Sequence, residues 1–243
     1  PRSTLFPYTT LFRSRTGMTV AFPVAAGFGL VLGVLINYIA LPYGNVLYLF
    51  GGVALIAVAI ILSAIAYQRL SKQQNTVSAK GLVLTLIAGL LFGFFYRFIA
   101  SAMSTDFHLP EKGKLGPYSA TVCFAIGVIA SNFIFNTVLM KKPVQGDPVE
   151  FSAYFKGRLK DHIMGILGGM IWGCGLVFSI LSAGKAGFAI SFGLGQGNAM
   201  IAAIWGVFIW KEFKEAPAGT SKLLYCMFIS YLAGLLLIVY AKN

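Results

Sequence analysis

Amide side chains stand within long apolar stretches of this sequence, where unpaired polar groups are costly. Gln196 and Asn198 follow a run of glycines, and the indole of Trp205 lies two helical turns further on. Two amides beside an aromatic surface suit the recognition of a neutral polar ligand with amide or hydroxyl groups. Hydrogen bonding between neighbouring helices is the alternative use of these amides, and the sequence leaves both uses open.

Asn132 and Asn136 form a second amide pair, and their spacing of four residues puts them on one face of a helix. We expect them either to line a ligand pathway or to hydrogen-bond across helices. Trp172 stands among glycines in another apolar stretch, where its ring either stacks on a planar ligand or packs against a helix. Asn37 lies near the end of an apolar stretch and is expected to be structural.

One cation, Arg97, lies deep within an apolar stretch, with Tyr96 beside it. Such a guanidinium either extends toward the outer aqueous surface or binds a carbonyl or anionic group of a ligand, and it could serve as a gate.

Backbone groups are further candidates for ligand binding, because Pro23 and Gly27 in the first apolar stretch favour an interrupted helix. The equivalent place in a later stretch holds Gly193, Gly195 and Gly197. Interrupted helices would expose carbonyl and N–H groups to a ligand. Close helix packing through small residues is the alternative.

Signatures of catalysis are absent from the sequence. It contains no HExxH, no GxSxG, no cluster of His and Asp, and no pair of carboxylates within an apolar stretch. The three cysteines lie far apart without metal-site spacing and are expected to be small buried residues. We therefore expect no catalytic residue, no metal, no cofactor and no enzymatic activity.

The composition is that of a polytopic membrane protein. Charged residues make up 11% of the chain and hydrophobic residues 58%, whereas a soluble domain has about 25% charged residues. The net charge of +12 comes from cations between apolar stretches, so the expected partner is the lipid bilayer and not nucleic acid. Seven stretches are long and apolar enough to form membrane-spanning helices, and together they predict an all-α bundle. They cover residues 18–41, 45–67, 81–104, 118–140, 161–183, 187–210 and 222–241.

The cations are distributed unequally between the two sides of this bundle. Most lie before the first stretch and in the second, fourth and sixth loops, and few lie on the other side. Because cytoplasmic loops carry the excess of Lys and Arg, we expect the C-terminus to be outside. The expected location is the inner (plasma) membrane of a bacterium.

The first stretch is repeated later in the chain. Residues 17–39 align with 187–209, so that Phe22 corresponds to Phe192 and Gly27 to Gly197. The later copy is the fourth of five stretches in 81–243, which predicts two five-helix halves of opposite orientation, an inverted 5+5 repeat with ten helices. Residues 15–80 would then hold the last two helices of the first half and a cytoplasmic linker.

The N-terminal residues 1–14 look non-native. Residues 4–14, TLFPYTTLFRS, resemble a translated sequencing adapter. We therefore expect an N-terminally truncated chain that lacks three helices, and we expect residues 17–243 expressed alone to show no saturable uptake.

Several motifs resemble the drug/metabolite transporter superfamily, and within it the ureide permease and sugar-porter (glucose-rhamnose type) branch. The resemblance rests on GMTVAFPVAAGFGLVLGVLINYIALPYGN, GLLFGFFYRFIA and AGKAGFAISFGLGQGNAMIAAIWGVFIWKEF, in this order. It implies ten helices and a ureide, nucleobase or sugar as solute. The phosphate-loop-like motif of plant ureide permeases is missing from the loop 67–80, so no nucleotide coupling is expected.

We therefore interpret the sequence as a permease that moves a small neutral polar solute by alternating access. A seven-helix receptor or a channel-like membrane protein is the alternative. A homodimer is compatible with the sequence.

Overall fold

A computed structural model describes residues 18–70, 79–104, 106–107, 111–143 and 147–242, and the side chains of all of these but 18–24, 79–82 and 84. This described part is helical and contains no strand, apart from a single β-bridge between Met103 and Leu115. The helices are α1 (Met18–Ala40), α2 (Val46–Leu70), α3 (Ala79–Ala102), α4 (Pro117–Lys141), α5 (Ser152–Phe155), α6 (Leu159–Ala186), α7 (Phe188–Gly195), α8 (Gly197–Ile204) and α9 (Thr220–Tyr240). A π-helical turn, Trp205–Ile209, follows α8.

All seven predicted stretches are helical. Within the described residues six helical segments are long and apolar enough to cross a membrane, and α7, α8 and the π-helical turn together form one of them, Phe188–Ile209. The first stretch contributes a shorter apolar segment, Ala25–Ala40, so the count of seven spans stays a prediction. Helices suit the hydrocarbon core of a bilayer because every backbone hydrogen bond is made within the segment.

The described residues fall into two compact units. The first comprises those up to Ala100 and from Lys185 onward, and the second comprises Ser101–Gly184.

In the first unit, helices approach each other through glycines. A Cβ atom at Gly52 of α2 would lie 2.6 Å from the carbonyl oxygen of Gly234 in α9, and one at Gly234 would lie 2.8 Å from that of Gly52. Helices α1 and α3 meet in the same way, since a Cβ at Gly29 would lie 3.0 Å from the Gly89 oxygen and one at Gly33 would lie 3.1 Å from the Gly93 oxygen. Small residues let backbones come this close in membrane bundles.

One end of the first unit is closed by turns. Asn45 begins α2, and its Oδ1 atom accepts hydrogen bonds from the backbone N–H groups of Leu47 and Tyr48, at 3.0 and 3.3 Å. The Asn45 N–H donates to the carbonyl of Ala241 at 2.6 Å. Tyr43 lies against Gly187, whose φ of 79° requires glycine. The turn after α1, the start of α7 and the end of α9 therefore meet at this end.

The second unit has long exposed helices. The apolar segments of α4 and α6 are 0% and 6% buried within the structure, as expected for helices that face lipid or further protein.

The three cysteines are exposed, so the prediction that they are buried is wrong. Their helix faces are not covered by the described residues.

Candidate functional site

The first of the two glycine-containing stretches is not interrupted, whereas the second is. Helix α1 runs through Pro23 without a break in its helical backbone, and the side chain of Pro23 lies outside the description. The second stretch is divided at Gln196, between α7 and α8. A Cβ at Gly27 would lie 3.7 Å from Ile60, an ordinary contact, so Gly27 faces α2 without being needed for close approach.

Gln196 occupies the junction of α7 and α8 and is 9% exposed. Its Nε2 atom donates to the carbonyl of Phe192 within the preceding turn at 3.5 Å, a long bond. The side chain is thus held locally and can be released at little cost. Asn198, two residues later, is exposed.

The π-helical turn carries Trp205, whose ring is half exposed and lies 6.4 Å from that of Trp210. The Trp210 N–H donates to the Trp205 carbonyl at 2.9 Å, five residues back. Such turns are often found at functional positions in helices. A hydrogen bond from the Tyr67 hydroxyl to the Glu212 carboxylate, 3.0 Å long, ties the end of α2 to the residues that follow this turn.

Tyr96 is 2% exposed and belongs to a cluster of aromatic rings. Its ring centroid lies 5.4 Å from that of Phe192 and 6.3 Å from that of Phe188, both in α7. The Phe192 ring also covers Gly33 of α1. The cluster therefore joins α1, α3 and α7, which the sequence places far apart.

Arg97 is half-buried in α3. Among the described residues it has neither an ion-pair partner nor a hydrogen-bond partner for its side chain. Both interpretations of Arg97, an extended side chain at the surface and a ligand group, stay open.

The remaining candidates lie in the second unit. Asn136 donates a hydrogen bond from Nδ2 to Oδ1 of Asn132, and both residues are exposed, as their predicted common face requires. The Trp172 ring is 54% exposed and lies 6.3 Å from that of Phe124, so α6 contacts α4 through Trp172. The Trp172 ring therefore contacts a neighbouring helix, and its stacking on a ligand stays a prediction.

The connection between α4 and α6 contains the short helix α5. Arg158 donates to the Asp161 carboxylate at 3.0 and 3.2 Å. This hydrogen bond, together with the negative charge of Asp161, raises the pKa of Arg158 above its usual value. Both side chains are exposed, so the pair orients the connection and contributes little to stability.

Asn37, for which the sequence predicts a structural role, has one unpaired amide atom among the described residues. It is fully buried in α1 and its Nδ2 atom donates to the Gly33 carbonyl at 2.8 Å, whereas its Oδ1 atom has no hydrogen-bond partner among the described residues. Its position near a helix end predicted a structural role, and its complete burial is visible only in the packed structure. Groups of three or more potential metal ligands do not occur among the described residues.

Comparison with known proteins identifies relatives for most of the chain. A family model described as "Ureide permease" matches residues 65–241. Ureide permease 2 of Arabidopsis thaliana is 27% identical over 158 residues, which are 63% of this chain and 39% of that protein. Ureide permease 1 of the same plant is 28% identical over 180 residues, 72% of this chain and 45% of that protein.

A more distant relative is transmembrane protein 144 homolog B of Dictyostelium discoideum, 22% identical over 61% of this chain and 37% of that protein. The chain thus spans less than half the length of the curated relatives it matches. No solved structure matches the chain.

Proposed function

Because the chain belongs to the ureide permease family, we propose that it is a permease that moves a small neutral polar solute across a membrane by alternating access. The family match and six apolar helices support a multi-pass membrane protein that transports small solutes. The solute class, a ureide, a nucleobase or a sugar, is the finer part of the proposal. The sugar-porter alternative within it comes from the sequence motifs alone.

The family match over residues 65–241 is the observation that carries the proposal. The relatives named as ureide permeases support a ureide or a chemically similar solute for this chain. Neither the receptor nor the channel alternative draws support from the comparisons.

An arrangement of two inverted halves is supported by the way the repeated stretches lie together. Gly33 of α1 is covered by Phe192 of the later stretch. Tyr43, which follows Gly33 by ten residues, lies against Gly187, which precedes Phe192 by five residues. The first stretch and its later copy are therefore adjacent and antiparallel, as inverted repeats require. We propose ten helices in two such halves for the whole protein.

We propose that ten residues contribute to solute binding, seven of them within the residue range of the first unit and three within that of the second. The first unit holds Pro23, Gly27, Tyr96, Arg97, Gln196, Asn198 and Trp205, and the second holds Asn132, Asn136 and Trp172. Their amide and aromatic groups match a neutral, planar and polar solute. The distribution of cations further supports a C-terminus outside the plasma membrane. The bacterial origin stays a prediction, because the relatives come from a plant and an amoeba.

Solute uptake tests this function. Cells that express the complete genomic reading frame encoding this chain are given labelled allantoin, uracil or glucose, and cells with empty vector are the control. We expect saturable uptake of at least one solute, reduced by an excess of the unlabelled compound. Uptake at the vector level for all three solutes, with the protein detected in the membrane, would contradict the proposal.

A further inference from the structure

A buried hydrogen-bond acceptor without a partner marks the end of α1. Asn37 is 0% exposed, and its Oδ1 atom is unpaired among the described residues, although its Nδ2 atom bonds to Gly33. Excluding water from such an atom lowers stability, because the lost hydrogen bonds to water are not replaced. A buried group that lowers stability in this way is a candidate for a functional role.

Packing does not explain an amide at this position. Leu30 and Val34, in the neighbouring turns of α1, are both 0% exposed and apolar. The adjacent Gly33 is covered by the Phe192 ring, which belongs to the cluster with Tyr96. An apolar side chain of similar size would fill the space of Asn37 without leaving an acceptor unpaired.

The glycine contacts between α1 and α3 define the register of these two helices. Gly29 faces Gly89 and Gly33 faces Gly93, so each step of four residues along α1 matches a step of four along α3. If the same register continues for one more turn, Asn37 lies opposite Arg97. The amide oxygen is an acceptor, and the half-buried guanidinium carries only donors.

We propose that Asn37 is a solute-binding residue of this permease, and that its Oδ1 atom accepts an N–H group of the solute while Arg97 donates to the neighbouring carbonyl. This inference rests on the proposed function and names the solute class, a compound in which N–H and C=O groups adjoin, as in ureides and pyrimidine bases. A sugar in its ring form offers no carbonyl to Arg97. Because Asn37 is fully buried, the proposal requires the helices packed around it to separate when the solute binds.

Two variants separate solute binding from a structural role. Asn37→Leu keeps the size of the side chain and removes the acceptor. Asn45→Ala is the matched control, because Asn45 lies eight residues later, caps α2 and is exposed. Both are purified from the complete genomic reading frame, and the melting temperature and the affinities for allantoin, uracil and glucose are measured.

The proposal predicts opposite patterns for the two variants. Wild type binds allantoin and uracil but not glucose. Asn37→Leu should bind both solutes at least about tenfold more weakly than wild type, with an unchanged or raised melting temperature. Asn45→Ala should lower the melting temperature and leave the affinities unchanged.

Equal affinities of Asn37→Leu and wild type would overturn the inference and leave the permease function standing, as would a wild type that binds only glucose. A wild type that binds none of the three would overturn the proposed function itself, and the inference with it. If Asn37→Leu does not fold, Arg97→Lys replaces it, since it keeps the charge and loses the planar donor pair. Unchanged affinities for allantoin and uracil in Arg97→Lys would likewise overturn the inference.

Discussion

The contact between α2 and α9 gives the sharpest test of the packing, because two neighbouring glycines in α2 have different surroundings. A Cβ atom at Gly52 would lie 2.6 Å from the Gly234 carbonyl oxygen, and ordinary contact begins at 3.4 Å. The obstacle is backbone, so it cannot rotate away. Gly52→Ala therefore requires the two helices to separate by about 0.8 Å, and overpacking of this kind costs about 1–3 kcal/mol.

Gly51→Ala is the matched control. A Cβ at Gly51 would lie 3.8 Å from the tip of Leu237, which is an ordinary contact. The same chemical change in the same helical turn is then neutral or stabilises the helix by up to about 1 kcal/mol.

The free energies of unfolding are measured by titration with SDS in mixed micelles, followed by circular dichroism. We expect Gly52→Ala to be less stable than Gly51→Ala by at least about 1 kcal/mol. Gly234→Ala should behave like Gly52→Ala, and the double variant should lose less than the sum of the two, because either substitution already separates the helices. Equal stability of Gly51→Ala and Gly52→Ala would refute the close contact between α2 and α9.

Three further predictions concern other parts of the chain. Tyr67→Phe removes the hydrogen bond to Glu212 and should lower the free energy of unfolding by about 1 kcal/mol in the same titration; an unchanged value would mean that this bond does not hold the end of α2. Alkaline phosphatase fused after Lys242 should be active in bacterial cells, since the cation distribution puts the C-terminus outside, and an inactive fusion present in the membrane would reverse the orientation. Asn136→Leu should leave stability within about 0.5 kcal/mol of wild type, because Asn136 is exposed, while lowering solute uptake several-fold; unchanged uptake would remove Asn136 from the pathway.

Much of the fold could be predicted from the sequence, because a membrane-spanning helix depends on a local property. The predicted stretch 45–67 corresponds to the helix Val46–Leu70, and the predicted stretch 222–241 corresponds to the helix Thr220–Tyr240. Each is a continuous apolar run, and in lipid such a run has few alternatives to a helix. Helix ends were harder to predict, since the caps and turns that fix them depend on contacts such as that between Asn45 and Ala241.

The candidate site could be predicted only in part, because its geometry depends on contacts between distant residues. The spacing of Asn132 and Asn136 was enough to predict their common face, which their hydrogen bond confirms. The burial of Asn37, in contrast, depends on how other helices pack against α1, which the sequence does not show. The glycines near Pro23 and those near Gln196 looked equivalent, yet the helix is interrupted only at Gln196.

The most direct test of a permease that works by alternating access is a counterflow experiment in proteoliposomes. Vesicles that contain the product of the complete genomic reading frame are loaded with unlabelled allantoin or uracil and diluted into a trace of the labelled solute. A carrier exchanges one for the other, so we predict a transient accumulation of label above the external concentration, absent from protein-free vesicles. Label that only equilibrates across the membrane would indicate a channel, and label that does not enter would contradict transport of these solutes.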